Sequence, residues 1–313
     1  MIRIFKTEDG VMHEKTDLQP GCWIALTNPT ASEVMDVADA CQIDPDHIKA
    51  PLDEEERSRI EVEDNYTLVL VDIPSIEERN GKDWFVTIPM GIITTNDVLI
   101  TVCLEDTPVL SSFMDGRVRD FHTFMKTRFI LQILYRNATQ YLQYLRIIDK
   151  KSEVVERKLH QSQKNEELIE LLELEKSLVY FTTSLKSNEV VLEKLLRTER
   201  VKKYPEDTDL LEDVIIENKQ AIEMANIYSG ILSGTMDAFA SIISNNVNAV
   251  MKFLATVTIV MSIPTMVASF YGMNVNTHGM PFADSVYGFV IVLGLAILLS
   301  LFVAYIFNKK DLF

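Results

Sequence analysis

The chain has 313 residues, with 46 acidic against 30 basic and a formal net charge of −16. That balance argues against a nucleic-acid surface and suits either a cationic partner or a solvated acidic exterior. Its three cysteines, Cys22, Cys41 and Cys103, are odd in number and widely spaced, which excludes a disulfide framework or a cysteine metal cluster and predicts small core residues.

Residues 1–118 read as a mixed α/β domain. Strands are expected at Ile2 to Phe5, Cys22 to Leu26, Arg59 to Glu63, Tyr66 to Ile73, Trp84 to Thr94 and Val98 to Leu104, all rich in β-branched or aromatic residues. Asn80-Gly81 and Asn96-Asp97 stand where hairpin turns are needed. Thr30 and Glu33 form a capping box for a helix running to about Ala40, and a short helix is expected from Pro45. The domain has no Gly-rich phosphate loop, no His/Cys ligand spacing and no nucleophile elbow, so the sequence predicts a sensor or support, not an enzyme.

Residues 119–204 read as an antiparallel helical pair, one helix over about Asp120 to Gln161 and the other over about Asn165 to Val201. Phe121, Phe124, Ile130, Ile133, Leu134, Tyr141, Leu142, Leu145 and Ile148 recur at helical spacing, with neither Pro nor Gly to interrupt them. Pro205 ends the pair, and Asp207 or Thr208 is placed to cap a new helix. Nothing after Thr208 is a convincing stop, and Gly230 and Gly234, one turn apart, predict close packing. Continued to Phe270, the helix would be on the order of 90 Å long at about 1.5 Å per residue. Residues 205–252 form its stalk and residues 253–271 a first membrane span.

The span assignment rests on charge and length. No Asp, Glu, Lys or Arg occurs from Phe253 to Ala283, and none from Ser285 to Asn308, whereas a spanning helix needs about 20 apolar residues. The apolar helices are expected over about Phe253 to Phe270 and Val286 to Phe307, with residues 272–285 as the loop between them, 286–308 as the second span and 309–313 as a basic tail. Two buried helices of a soluble core are the alternative. Lys252 precedes the first span and Lys309 with Lys310 follows the second, while the loop has neither Lys nor Arg. Both termini are therefore expected in the cytoplasm, the loop outside, and the chain in the cell membrane without a cleavable leader.

One face of the long helix is unusual. Ser241, Asn245, Asn248, Met251, Leu254, Thr258, Ser262, Thr265, Ser269 and Gly272 follow at steps of three or four, forming a narrow stripe of small and mostly polar residues. Such a stripe would be costly against lipid; it fits a water-filled axis or a closely packed neighbouring helix equally well. A path through two spans would need several copies around an axis.

Tyr271-Gly272-Met273-Asn274, followed by Met280-Pro281, a second span and Lys309-Lys310, closely resembles the signature end of the CorA family of magnesium transporters. The resemblance covers the whole architecture: an α+β cytosolic domain, a long helical stalk and two C-terminal transmembrane helices in a membrane homo-oligomer. It implies a homopentamer in lipid, with Gly272, Met273 and Asn274 as the outer selectivity filter and Asn248, Met251, Leu254, Thr258, Ser262, Thr265 and Ser269 lining the pore. It implies no cofactor beyond Mg2+ as the transported and regulatory ion. Asp213 aligns with an acid that senses intracellular magnesium in the family. Its partner position falls at Lys49 or Ala50, which are not ligands, and Asp53, Glu54, Glu55 and Glu56 nearby are either substitutes or an exposed acidic face. Phe282 stands where many relatives carry Glu, and Asp284 is the loop's acid. A zinc, cobalt or nickel transporter of the same architecture, or a membrane-anchored sensor or scaffold without transport, are the competing readings.

Overall fold

A computed structural model describes residues 1–79, 81–162, 165–197, 205–274, 279–282 and 285–309. Two compact units divide the chain, residues 1–235 and 236–313.

The first unit is built on a seven-stranded sheet. Its strands are β1 (Ile2–Glu8), β2 (Val11–Lys15), β3 (Trp23–Thr27), β4 (Arg59–Val62), β5 (Tyr66–Arg79), β6 (Lys82–Thr95) and β7 (Leu99–Cys103), in the order β2-β1-β3-β7-β6-β5-β4. All neighbours are antiparallel except β3 and β7. Two helices, α1 (Ala31–Cys41) and α2 (Pro45–Lys49), follow β3. The Thr30–Glu33 capping box is present in full: the Thr30 hydroxyl accepts from the Glu33 N–H, and the Glu33 carboxylate accepts from the Thr30 N–H. Asp44 caps α2 in front of Pro45.

Alternate residues of each inner strand enter different cores. Ile24, Leu26, Leu68, Leu70, Ile100 and Val102 meet Val34, Val37 and Ile48 of α1 and α2 on one face. Trp23, Ala25, Val69, Val71, Met90 and Ile92 fill the other. There they meet Val109, Leu110 and Phe113 of α3 (Pro108–Met114), Phe129, Leu131 and Ile133 of α4 (Lys126–Ser162), Val191, Leu192 and Leu195 of α5 (Asn165–Arg197), and Leu211 and Val214 of α6 (Pro205–Tyr271). Helices on both faces explain why β7 is buried at every residue and reads as an unbroken apolar run. Cys22 and Cys103 are core residues as expected, and Cys41 is half-buried. Burial pushes the Cys103 thiol up to about 11, which keeps it neutral.

Several boundaries differ from the sequence expectation. β2 and α3 were not anticipated. β5 and β6 are each 14 residues long, because the hairpin ladder continues through charged Glu77, Glu78, Arg79, Lys82 and Asp83 after the apolar pattern stops. Asn80, half of the expected turn, lies outside the described residues; Gly81 has φ +74°, a left-handed backbone that glycine adopts without strain. α4 begins at Lys126, since Asp120 takes a left-handed φ of +52° and breaks any earlier helix; Phe121 reaches the core from the connection instead. α6 begins at Pro205, so Asp207 lies in its first turn and Thr208 one residue further, neither of them a cap. Proline needs no N–H at the first helical position. A Cβ at Gly230 or Gly234 would meet nothing within 4 Å, so these glycines do not serve close packing within this chain.

One polar cluster ties the helices to the sheet. The Asp72 N–H donates to Asn188 Oδ1 at 2.9 Å, and the Asp72 carbonyl accepts from Asn188 Nδ2 at 2.7 Å, Asn137 Nδ2 at 2.9 Å and the Tyr141 hydroxyl at 3.2 Å. Asn188 thus continues the ladder beyond the end of β4. Both Asp72 backbone groups point away from β6, so Pro89 opposite it need supply no N–H. Asn188→Leu should strand the Asp72 N–H and take one partner from the Ser58 hydroxyl, costing about 1–3 kcal/mol. A fall in the denaturant midpoint checks this.

Candidate functional site

In the second unit, α6 runs on to Tyr271 through Pro264, and α7 (Gly288–Lys309) follows the loop. Both helices are long and apolar enough to cross a membrane, and only 6% of each apolar window is buried in this chain. Core helices of a soluble protein would be covered, so the exposed apolar surface calls for lipid or other chains.

The hydroxyls of α6 are bonded back onto their own helix. Thr258 Oγ1 donates to the Leu254 carbonyl at 2.8 Å, Ser262 Oγ to Ile259 at 2.8 Å and Thr265 Oγ1 to Met261 at 3.2 Å. Each hydroxyl proton is therefore committed, leaving the oxygen lone pairs to accept. Pro264 has no N–H, so the Val260 carbonyl loses its helical donor, but on the side of Thr256 and not on that of the hydroxyls. At these three positions the helix surface accepts hydrogen bonds and does not offer them.

The predicted stripe is exposed from end to end. Ser241, Asn245, Asn248, Met251, Leu254, Thr258, Ser262, Thr265, Ser269 and Gly272 are all open to solvent in the single chain, Met251 and Leu254 by 59% and 57%. Val257, Thr258, Met261, Ser262, Thr265, Met266, Ser269 and Phe270 line a shallow open groove. By contrast Thr256, with Ala296 and Ser300 of α7, is buried. Thr256 lies about 200° around the helix from Thr258. The stripe thus faces away from the surface this chain covers for itself.

At the C-terminal end of α6, the Gly272 N–H closes the last helical turn on the Ala268 carbonyl at 2.9 Å, and the Met273 N–H reaches the Phe270 carbonyl at 3.4 Å. Met273 and Asn274 follow, exposed. Tyr271 has a role that its sequence context did not reveal: its hydroxyl donates to the Pro281 carbonyl at 2.8 Å, tying the returning loop to the helix end. That contact spans ten residues of connection and follows no periodic pattern. Gly288 is likewise required, since a Cβ there would stand 2.3 Å from the Phe282 carbonyl oxygen, and Phe282 takes a left-handed φ of +66°. Residues 275–278 and Asp284 lie outside the described residues.

Asp213 is exposed on α6 within the first unit and belongs to no three-ligand group among the described residues. Of the four acids at 53–56, Glu56 is engaged by Arg59, while Asp53, Glu54 and Glu55 are exposed. Lys49 pairs with Asp46 at 3.3 Å.

The family described as CorA-like Mg2+ transporter protein matches residues 19–310. The chain belongs to this family. Among CorA relatives, the cobalt/magnesium transport protein CorA of Methanocaldococcus jannaschii is 27% identical over 297 residues, covering 92% of this chain and 90% of that protein. The protein of the same name from Thermotoga maritima is 23% identical over 315 residues, covering 98% and 88%. The complete structure of the Methanocaldococcus jannaschii CorA magnesium transporter superposes with a TM-score of 0.86 at 25% identity, covering 99% of this chain and 98% of that one. The α+β domain, long helix and two C-terminal apolar helices are thus the CorA architecture throughout.

Proposed function

We propose that several copies of this chain, five by resemblance to the family, surround a central path through which magnesium enters the cell down the membrane potential. One observation carries the reading: the acceptor-lined stripe of α6 is exposed along its length and turned away from what the chain itself buries. A hydrated Mg2+ presents outward-pointing water hydrogens, and it gives up its waters reluctantly. Thr258, Ser262 and Thr265, with their protons committed, match that shell, and Asn248 and Ser269 extend the stripe.

Gly272, Met273 and Asn274 form the outer filter in this reading. A ring of Asn274 amide oxygens holds the ion through its waters, and the absence of a Cβ at Gly272 leaves its backbone oxygen approachable. Met251 and Leu254 form an apolar constriction that closes by excluding water. The potential supplies about 4 to 5 kcal/mol per 100 mV for a divalent ion, so no nucleotide is needed. Both termini lie in the cytoplasm, as Lys252 and Lys309 at the inner ends of the spans favour. Asp213, without enough ligands of its own, takes a regulatory Mg2+ only with residues of another copy.

Cobalt is a second cargo, favoured by the names of the two CorA relatives. The experiment is magnesium uptake in transport-deficient cells. Thr258→Leu, which removes an acceptor and narrows the path, should cut uptake at least about tenfold, roughly 1.4 kcal/mol on the barrier. Ile259→Leu, one residue round the helix, should leave it unchanged. Equal uptake by both variants at equal expression refutes the stripe as the path.

A further inference from the structure

A second group of ligand-type side chains lies in the N-terminal domain, far along the sequence from the filter. His47, on α2, and Glu61 and Glu63, from β4 and the turn after it, bring one ligand atom each to within 4.8 Å of one another. The strand explains half of this arrangement, because residues two apart in extended backbone project to the same side. α2, packed on that end of the sheet, supplies the imidazole.

The group is held in place. His47 Nδ1 lies 2.7 Å from the Tyr66 hydroxyl, which also accepts from the Asp44 N–H at 3.3 Å. Tyr66 further fixes Glu63, whose N–H donates to the Tyr66 carbonyl at 2.9 Å. With Nδ1 engaged, His47 turns Nε2 toward Glu61 Oε2 at 3.1 Å. The other oxygen of Glu61 is taken by Arg59, while Glu63 makes no ion pair among the described residues. Two carboxylates and one imidazole nitrogen therefore lie close together, Glu63 is exposed, and the side chains of His47 and Glu61 remain 20% and 30% exposed, enough for an ion and its waters to reach them.

We infer that His47, Glu61 and Glu63 form a binding site for a divalent transition cation of the zinc, cobalt or nickel class, with water completing the coordination. Imidazole nitrogen beside carboxylate oxygen suits those ions. Magnesium requires near-ideal oxygen octahedra and keeps its water, so it competes poorly here. Tyr66 is the partner that fixes the ring of a metal-bound histidine. The site is thus opposite in preference to the α6 stripe: it selects by nitrogen ligation, whereas the stripe contacts the ion's water shell. It lets the domain respond to a transition metal in a magnesium-rich solution.

The test uses the tag-free full-length protein in detergent, stripped with chelator and titrated with Co2+ in a large excess of Mg2+, read by the visible absorption of protein-bound Co2+. The expected result is one saturable Co2+ per chain with a nitrogen-ligated spectrum, retained in Asn274→Ala. His47→Ala should weaken it by about 100-fold and Tyr66→Phe by about tenfold, the range typical of disturbed metal sites. Glu63→Gln, at an exposed position that leaves the fold intact, should also weaken it at least about tenfold. Magnesium uptake should persist in all three. A titration showing no such spectrum, or one unchanged in Glu63→Gln, overturns the site, and it does so whether or not His47→Ala folds.

Discussion

Asn274→Ala is expected to reduce magnesium uptake to the background of transport-deficient cells, with the protein still made and assembled. The size of the effect comes from symmetry. In the proposed ring of five copies a residue is lost from every copy at once, so a deficit of about 1 kcal/mol per amide contact, summed over that ring, approaches 5 kcal/mol, more than about a thousandfold in rate. Asn274→Asp should fail differently. A carboxylate ring binds the cation more strongly and releases it slowly, so uptake should fall while competition by cobalt sharpens. Surface expression and the mass of the assembled oligomer, measured on the same variants, separate loss of conduction from loss of protein.

Trp23→Ala should produce the largest loss of stability, roughly 3–5 kcal/mol for a buried aromatic residue truncated in a packed core. Trp23 is fully buried on β3. Its ring meets Phe5 at 5.1 Å, Phe129 at 5.0 Å, Phe121 at 6.3 Å and Phe113 at 6.4 Å between centroids, the last three edge-on. These partners come from β1, α3, α4 and the connection before α4, so the cavity left by alanine would loosen four segments together. The indole N–H also donates to the Thr101 hydroxyl at 2.9 Å, a bond lost with the ring. Trp23→Phe restores most of the volume but not that bond, and should recover more than half of the loss. Far-UV circular dichroism through a guanidinium titration measures both, with Trp84 left as a fluorescence reporter.

The parts of the fold that were legible in the sequence are those where one periodic rule dominates. Thr30 and Glu33 mark α1 because a capping box is a fixed three-residue geometry. The long helix and the second span are readable because charge is absent over a bilayer's thickness, and the stripe because a helix carries its register rigidly for many turns. β2 was not legible: Val11–Lys15 is a mostly exposed edge strand with His13, Glu14 and Lys15 in its five residues. α3, at seven residues, is too short to show a period. Phe121 and Phe124 fit a helical spacing, yet lie in a connection whose backbone at Asp120 is left-handed.

The candidate site divides in the same way. The stripe from Ser241 to Gly272 could be drawn from spacing alone and Asn274 only from resemblance to the family, but not that Thr258, Ser262 and Thr265 commit their protons to the backbone, nor that Thr256 marks the covered face. Tyr271 meeting Pro281, and His47 meeting Glu61 and Glu63, depend on how connections return in space, which no local pattern encodes.

The most direct measurement is magnesium flux into liposomes holding the purified protein and a magnesium-sensitive dye, with an inside-negative potassium diffusion potential, alongside the mass of the intact oligomer from the same preparation. The account predicts a homo-oligomer through which magnesium enters faster as the potential becomes more negative, with no nucleotide present, and no entry through Asn274→Ala. An intact, folded oligomer that passes no magnesium under that potential would contradict it.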